Sequence, residues 1–278
     1  MASKKIAPPD APTQPALEDA PTLGRFRTGW LQDTPDERDW KASHHFGAAR
    51  SPAPENLALL KELATVDDQG MTSSCVAHAA LTAVETRLRH MGFVPPRFSR
   101  RAAYDVGRSY ERSPGQPLLD QGMFPRHMMM GLRQFGLCEE DAWPWDPEAI
   151  NREIPWDVQQ KATPYRIAGW YRIDSSGLSR ILDIQLALAK GYPVIFGTQV
   201  GREFENWNGR GVVPVAGSDN VGGHMLCLLG YTTDNGEVIM RGVNSWSYGW
   251  GDRGLFWAGN AFLTDERASD FYVMEISG

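Results

Sequence analysis

Val76, Ala80, Val84 and Leu88 recur every four residues, with Ala77 and Leu81 beside them, which is the spacing of one helix face. Ser73 and Ser74 ahead of the run are natural N-caps, and Gly92 ends it. A second helix is predicted from about Pro125 to Phe135, stopped by Gly136, and a third over "LSRILDIQLALAKG", stopped by Gly191. After that the period changes. "YPVIFGTQV", "GGHMLCLLGYTT", "GEVIMRGVNSW" and "DFYVMEIS" are short apolar or alternating runs divided by Gly, Asn and Asp, and they read as strands. A helical first half and a β second half predict an α+β chain, and no internal repeat is visible.

Residues 1 to 22 are rich in Pro, Ala and Asp and almost free of large apolar side chains. Such a composition cannot offset its ordering entropy by burial, so this stretch is expected to be disordered on its own. "GWLQDTPDERDWKASHHFGAARSPAPEN" follows, with Trp30 and Trp40 among prolines and charges, and reads as a strap lying on a surface. The expected division is an irregular arm over 1–57 and a compact domain over 58–278.

Composition narrows the partners. The formal net charge is −6 and there is no basic block, which argues against nucleic acid, because that affinity rests on clustered Lys and Arg. The N-terminal stretch lacks the apolar segment of a secretory signal or anchor, and runs such as "MLCLLG" are too short to span a bilayer. Cys75, Cys138 and Cys227 are odd in number and widely spaced, which is no disulfide framework; a reducing compartment is expected.

Cys75 falls at the start of the first predicted helix, where unpaired N–H groups favour a thiolate and lower its pKa. Gln69 lies just before it, across a turn at Gly70, so that its amide and the Cys75 N–H could together hold a developing oxyanion. The plain alternative is a small buried hydrophobe. Of six histidines, His44 and His45 lie in the strap and His90 and His127 on helices, where an inert role is the default. His78 is one turn from Cys75, but no second Cys/His pair has metal-ligand spacing, and neither metal nor cofactor is expected. His224 is different: it follows two glycines and opens an apolar strand. Asn244 closes a later strand and is followed by Trp246, and an amide there can fix an imidazole tautomer.

The ordered blocks "DQG…SC", "GGHMLCLLGY" and "NSW…GWGDRGLF" resemble the papain family of cysteine peptidases. The likeness covers roughly residues 58 to 278, and "GWLQDTPDERDW" resembles its bacterial, xylellain-like branch with short N-terminal regions. The resemblance implies a two-subdomain fold, helical on one side and an antiparallel β-barrel-like half on the other, with the active-site cleft between. It implies Cys75 as nucleophile, His224 as ion-pair partner and acid/base, Asn244 orienting His224, and Gln69 as oxyanion donor. Trp246 would shield the His224–Asn244 hydrogen bond.

Departures from the family pattern matter too. Thr72 and Asp120 stand where the family has a disulfide pair, and Val76 replaces the aromatic after the nucleophile. By resemblance, Phe124, Pro125, Gly197 and Met225 line the pocket for the second residue on the acyl side. No acid lies at those positions, so an apolar or aromatic preference is expected. Met123 replaces a cleft glycine, and its side chain is expected to narrow the groove.

Three functions remain open on the sequence: a thiol endopeptidase acting on peptide or protein, an amidase or acyltransferase with the same triad, and a non-catalytic component of a secreted or viral particle. The arm reads equally as a short propeptide across the groove or as a segment docking to an assembly partner.

Overall fold

The computed structural model describes residues 22–276 apart from 48–53, 55, 163–164, 218–219 and 235. The expectation of disorder over 1–22 therefore falls, save for Thr22, outside the described residues. The described chain begins with a small hairpin, β1 (Thr22–Leu23) and β2 (Phe26–Arg27), then runs extended into a short helix, α1 (Ala42–Phe46). After β3 (Leu57–Ala58) comes α2 (Cys75–His90), whose N-cap is Ser74, as the apolar spacing predicts.

Helix α2 is buried on nearly every side, from Cys75 through Thr86 and again at Leu88. Four alanines, Ala77, Ala79, Ala80 and Ala83, let neighbouring elements approach closely, which suits a helix lying through the centre of a protein rather than on its surface. Helix α3 (Arg100–Arg108) starts at Ser99, whose hydroxyl accepts the Ala102 N–H at 3.0 Å, an N-cap of the usual kind. Helix α4 (Pro125–Gln134) opens on proline, whose fixed φ suits the first helical position. It ends one residue before Phe135, the last residue of the predicted helix. Helix α5 (Trp156–Lys161) completes the helical half.

The second half comprises β4 (Ile167–Arg172), α6 (Gly177–Ala189), β5 (Val194–Gly201), α7 (Arg202–Glu205), β6 (Asn220–Asp234), β7 (Glu237–Val243), β8 (Leu255–Ala258), α8 (Asn260–Thr264) and β9 (Ser269–Ile276). The strands pair antiparallel in the order β4-β9-β5-β6-β7-β8, with β3 added against β6. Among the described residues this sheet is open, where a barrel-like half was expected. The fold class is α+β, as read from the sequence. One continuous core joins the halves: Val76, Ala80 and Leu81 of α2 belong to the same buried cluster as Leu226, Cys227 and Leu228 of β6.

Beneath the N-terminus of α2 a buried polar cluster fixes the loops. Arg100 donates through Nε to Asp67 at 2.7 Å and through its Nη atoms to both Glu85 oxygens at 2.5 and 2.8 Å. Burial pushes the Asp67 carboxyl up, but Arg100, His78 and Arg97 together outweigh it and hold it at about 2. Asp67 lies two residues before Gln69, whose N–H donates to Ser245 O at 2.8 Å; Ser247 N–H donates to Asp67 O at 2.9 Å. The loop entering α2 is thereby tied to the loop leaving β7.

Candidate active site

Cys75 is the first residue of α2, and its sulfur is fully buried. Backbone N–H groups of Met225, Gly29, Val76 and Cys75 itself are directed at the sulfur, which favours the thiolate. Burial outweighs all of them and pushes the thiol up to about 12. The lowered pKa expected from the helix start is thus reversed in this conformation, because the helix argument counts only the local N–H groups and not the chain that covers them.

His224 sits in β6 opposite Thr198 of β5, one residue from the Met225 N–H that faces the sulfur. Its Nε2 lies 2.7 Å from Asn244 Oδ1, while its Nδ1, also buried, has no partner among the described residues. Asn244 Oδ1 accepts, so Nε2 carries the proton and Nδ1 is left as the basic nitrogen. Burial lowers the His224 pKa to about 4, against the opposing pull of the Asn244 hydrogen bond. Trp246 stacks on the imidazole with ring centroids 4.5 Å apart and is itself fully buried, so it closes off the His224–Asn244 pair from water.

Gln69 is held from three sides. Its Oε1 accepts the Ser245 hydroxyl at 2.6 Å, and its Nε2 donates to Thr72 O at 2.8 Å and to Arg27 O at 3.0 Å. The last partner belongs to β2, which continues directly into the strap, so that residues 26–33 form one segment. Asp120, at the missing disulfide position, instead clamps the loop before α2: its Oδ1 accepts the Ser73 N–H at 2.9 Å and the Tyr104 hydroxyl at 2.7 Å. All three cysteines are free.

The strap lies on a surface, as the sequence suggests, and that surface is an internal one: it runs between the two halves and over Cys75. Phe26 stacks on Trp246 at 4.4 Å with the planes 1° apart. Gly29 and Trp30 both donate to Gly223 O, at 3.0 and 2.9 Å; Met123 N–H donates to Gly29 O at 2.9 Å and Leu31 N–H to Met123 O at 3.1 Å. The strap thereby pairs with Met123 as a short parallel bridge. The Met123 side chain points the other way, onto Gly107 of α3, and does not narrow the groove as expected.

The pocket expected around Gly197 is filled by Trp30. A β-carbon at residue 197 would stand 2.0 Å from the Trp30 ring, so the absence of a side chain there is what admits the indole. Met225 pairs with Gly197 across β5 and β6. Phe124 and Pro125 stand at the start of α4, beside the Arg126 N–H that donates to the strap's Asp33 Oδ2 at 3.1 Å. No acid stands at the four positions expected to line this pocket, but Asp270, a buried residue of β9, reaches it: its Oδ2 accepts the Trp30 Nε1–H at 2.9 Å and the Asp33 N–H at 2.8 Å. Its place in "SDFYV" gave no signal beyond an acid near a strand start. Asp39 of the strap completes the hold, 2.7 Å from Arg126 and 3.4 Å from Arg172.

Comparison with known proteins agrees with this geometry. The description "papain family cysteine protease" matches residues 54–261. An uncharacterized peptidase C1-like protein of Acanthamoeba polyphaga mimivirus is 27% identical over 92% of this chain and 89% of its own. The fold is that of xylellain, a cysteine protease from Xylella fastidiosa (TM-score 0.77, 24% identity, 94% of this chain and 99% of that one). Procathepsin B S9 from Trypanosoma congolense shares it too (TM-score 0.70, 17% identity, 90% and 86% covered), as does digestive procathepsin L 3 of Tenebrio molitor larval midgut (TM-score 0.67, 21% identity, 83% and 72% covered). The chain belongs to the papain family of cysteine proteases and is a cysteine peptidase.

Proposed function

We propose that this peptidase cleaves peptide bonds through an acyl-enzyme on Cys75 and that residues 26–33 hold it latent by lying in its own cleft. The observation that carries the reading is the contact of this segment with four positions that the reading assigns to catalysis or substrate: the Gly29 N–H at the sulfur, the Arg27 carbonyl on Gln69 Nε2, Phe26 on Trp246 and Trp30 in the side-chain pocket.

With the strap displaced, water reaches Cys75 and His224, and the burial that keeps both neutral is relieved. The thiol proton then passes to His224 Nδ1, giving a thiolate beside an imidazolium that Asn244 orients. The thiolate attacks the substrate carbonyl carbon, and the oxyanion is received by Gln69 Nε2 and the Cys75 N–H. As the C–N bond breaks, His224 gives its proton to the leaving amine. Water then attacks the thioester, His224 takes the proton, and the C–S bond breaks to release the acid.

If the Gly197 pocket takes the second residue on the acyl side, a substrate enters it with its N-terminal part. The strap places its C-terminal part there and runs backward. A backward chain offers the sulfur an N–H instead of a carbonyl carbon, so it is held and not cut.

The test is labelling with an epoxysuccinyl thiol reagent, read by intact mass, in the native chain and in Gly29→Ala, which displaces the strap. Cys75 is expected to label in the variant far faster than Cys138 or Cys227, and the variant to cut internal bonds of unstructured peptides. Equal reactivity of the three thiols in the variant overturns the reading.

A further inference from the structure

We propose that Asp270 is the specificity-determining residue of the pocket Trp30 now fills, and that the opened enzyme selects an indole there: a flat aromatic ring carrying one neutral N–H donor. The proposal deepens the peptidase reading and rests on it for the pocket's place in the cleft.

The two oxygens of Asp270 face different ways. Oδ1 is held within the body of the protein, by Arg172 Nη2 at 3.1 Å and by the Ser269 hydroxyl at 3.2 Å. Oδ2 accepts the Trp30 Nε1–H and the Asp33 N–H, and both belong to the strap. When the strap leaves, a carboxylate oxygen on a residue 1% exposed is left aimed into an empty pocket. A buried acceptor without a donor is costly, so a side chain that restores the bond is favoured over one of the same shape that does not.

Charge then separates neutral donors from cations. Arg172, on β4, already neutralises Asp270 and stays in place when residues 26–33 leave, so the pocket holds no unpaired negative charge to draw in a second cation. Arginine or lysine entering it meets the Arg172 charge beside the carboxylate, whereas an indole N–H does not. Shape agrees, since the bare Gly197 backbone accepts a flat ring against β5.

The experiment measures binding of blocked hexapeptides to the full chain carrying Cys75→Ala, Gly29→Ala and Trp30→Ala. The peptides differ at one position, which carries Trp, 3-benzothienylalanine (the same shape with sulfur in place of N–H), Phe or Arg. The tryptophan peptide is expected to bind about ten to a hundred times more tightly than its benzothienyl counterpart, and the arginine peptide most weakly. Asp270→Ala in the same background is expected to erase the first difference. Equal affinity of the Trp and benzothienyl peptides, tighter binding of Arg, or no binding of any peptide overturns the proposal. Turnover of the Trp peptide by the chain that keeps Cys75 is read separately: selective binding without cleavage counts against the peptidase reading and leaves the pocket assignment standing.

Discussion

Gly29 is pressed against Ser73 so closely that a β-carbon on it would lie 1.9 Å from the Ser73 carbonyl oxygen and 2.7 Å from the Ser73 β-carbon. The nearest opposing atoms are backbone at the entry to α2, which is tied down by Asp120 and by the Gln69–Ser245 bonds, so the helix start does not yield and the strap must.

Replacing Gly29 by alanine is therefore expected to open the cleft without any cut in the chain. Peptidase activity should rise at least about tenfold over the native protein, since the methyl group adds a clash comparable to overpacking a core. Intact mass checks that the chain is whole. Unchanged activity in an intact variant would mean that something other than these strap contacts limits turnover.

Gln69 is expected to act on the transition state more than on substrate binding. In the opened Gly29→Ala background, Gln69→Ala should lower kcat by about 10²–10³ with KM little changed, as loss of one oxyanion donor does elsewhere. Gln69 also accepts from Ser245 and donates to Thr72, so a fall in Tm of a few degrees is expected beside it. A loss carried by KM alone would assign Gln69 to the loop structure only.

Arg100 is 1% exposed and bonds two carboxylates, Asp67 and Glu85, so Arg100→Met would leave both buried without their cation. Breaking a buried pair by removing one partner costs about 3–5 kcal/mol. At about 2–4 °C per kcal/mol for a chain of this size, Tm should fall by roughly 10 °C. Thermal unfolding of the two proteins checks it, and a shift under about 2 °C would show that the cluster contributes little.

How much of this was legible follows the range of the interactions. Helix α2, with Cys75 at its head, is written in a four-residue spacing that any local reading finds. The strand carrying His224 and the strand that ends just before Asn244 are legible for the same reason, and the meeting of the two residues is legible only through the ordered blocks. β4 and β8 were missed because "IAGWYR" and "LFWA" are short, and their pairing with β9 and β7 supplies what local pattern does not. The strap's course is legible only as one of two equal readings of the arm. Trp30 has no apolar periodicity around it, and its burial depends on a vacancy at Gly197 some 167 positions away. The sign of the Cys75 shift failed with it, since the covering chain is distant in sequence.

The strap's hold should weaken as pH rises from about 4 to about 7. Asp33 is raised from 3.8 to about 7, by burial first and by the neighbouring Asp270 charge second, while Arg126 and the Tyr272 hydroxyl pull it down. Arg172 and Asp39 lie one step further out, Arg172 paired with Asp270 and Asp39 with Arg126. The closed strap thus keeps a proton that the freed strap, near 3.8, gives up. Closed binds more protons than open through that window, so raising pH favours opening, and the effect levels off once Asp33 has titrated in both states. Asp33→Asn keeps a neutral side chain at every pH and should remove the trend. The measurement is the rate of Cys75 labelling in the native chain divided by that in Asp33→Asn, from pH 4 to 8, which cancels the ionisation of the thiol itself. The ratio is expected to climb by about tenfold or more up to pH 7 and then stay level. A ratio flat across the range would mean that the strap is released without regard to this carboxyl.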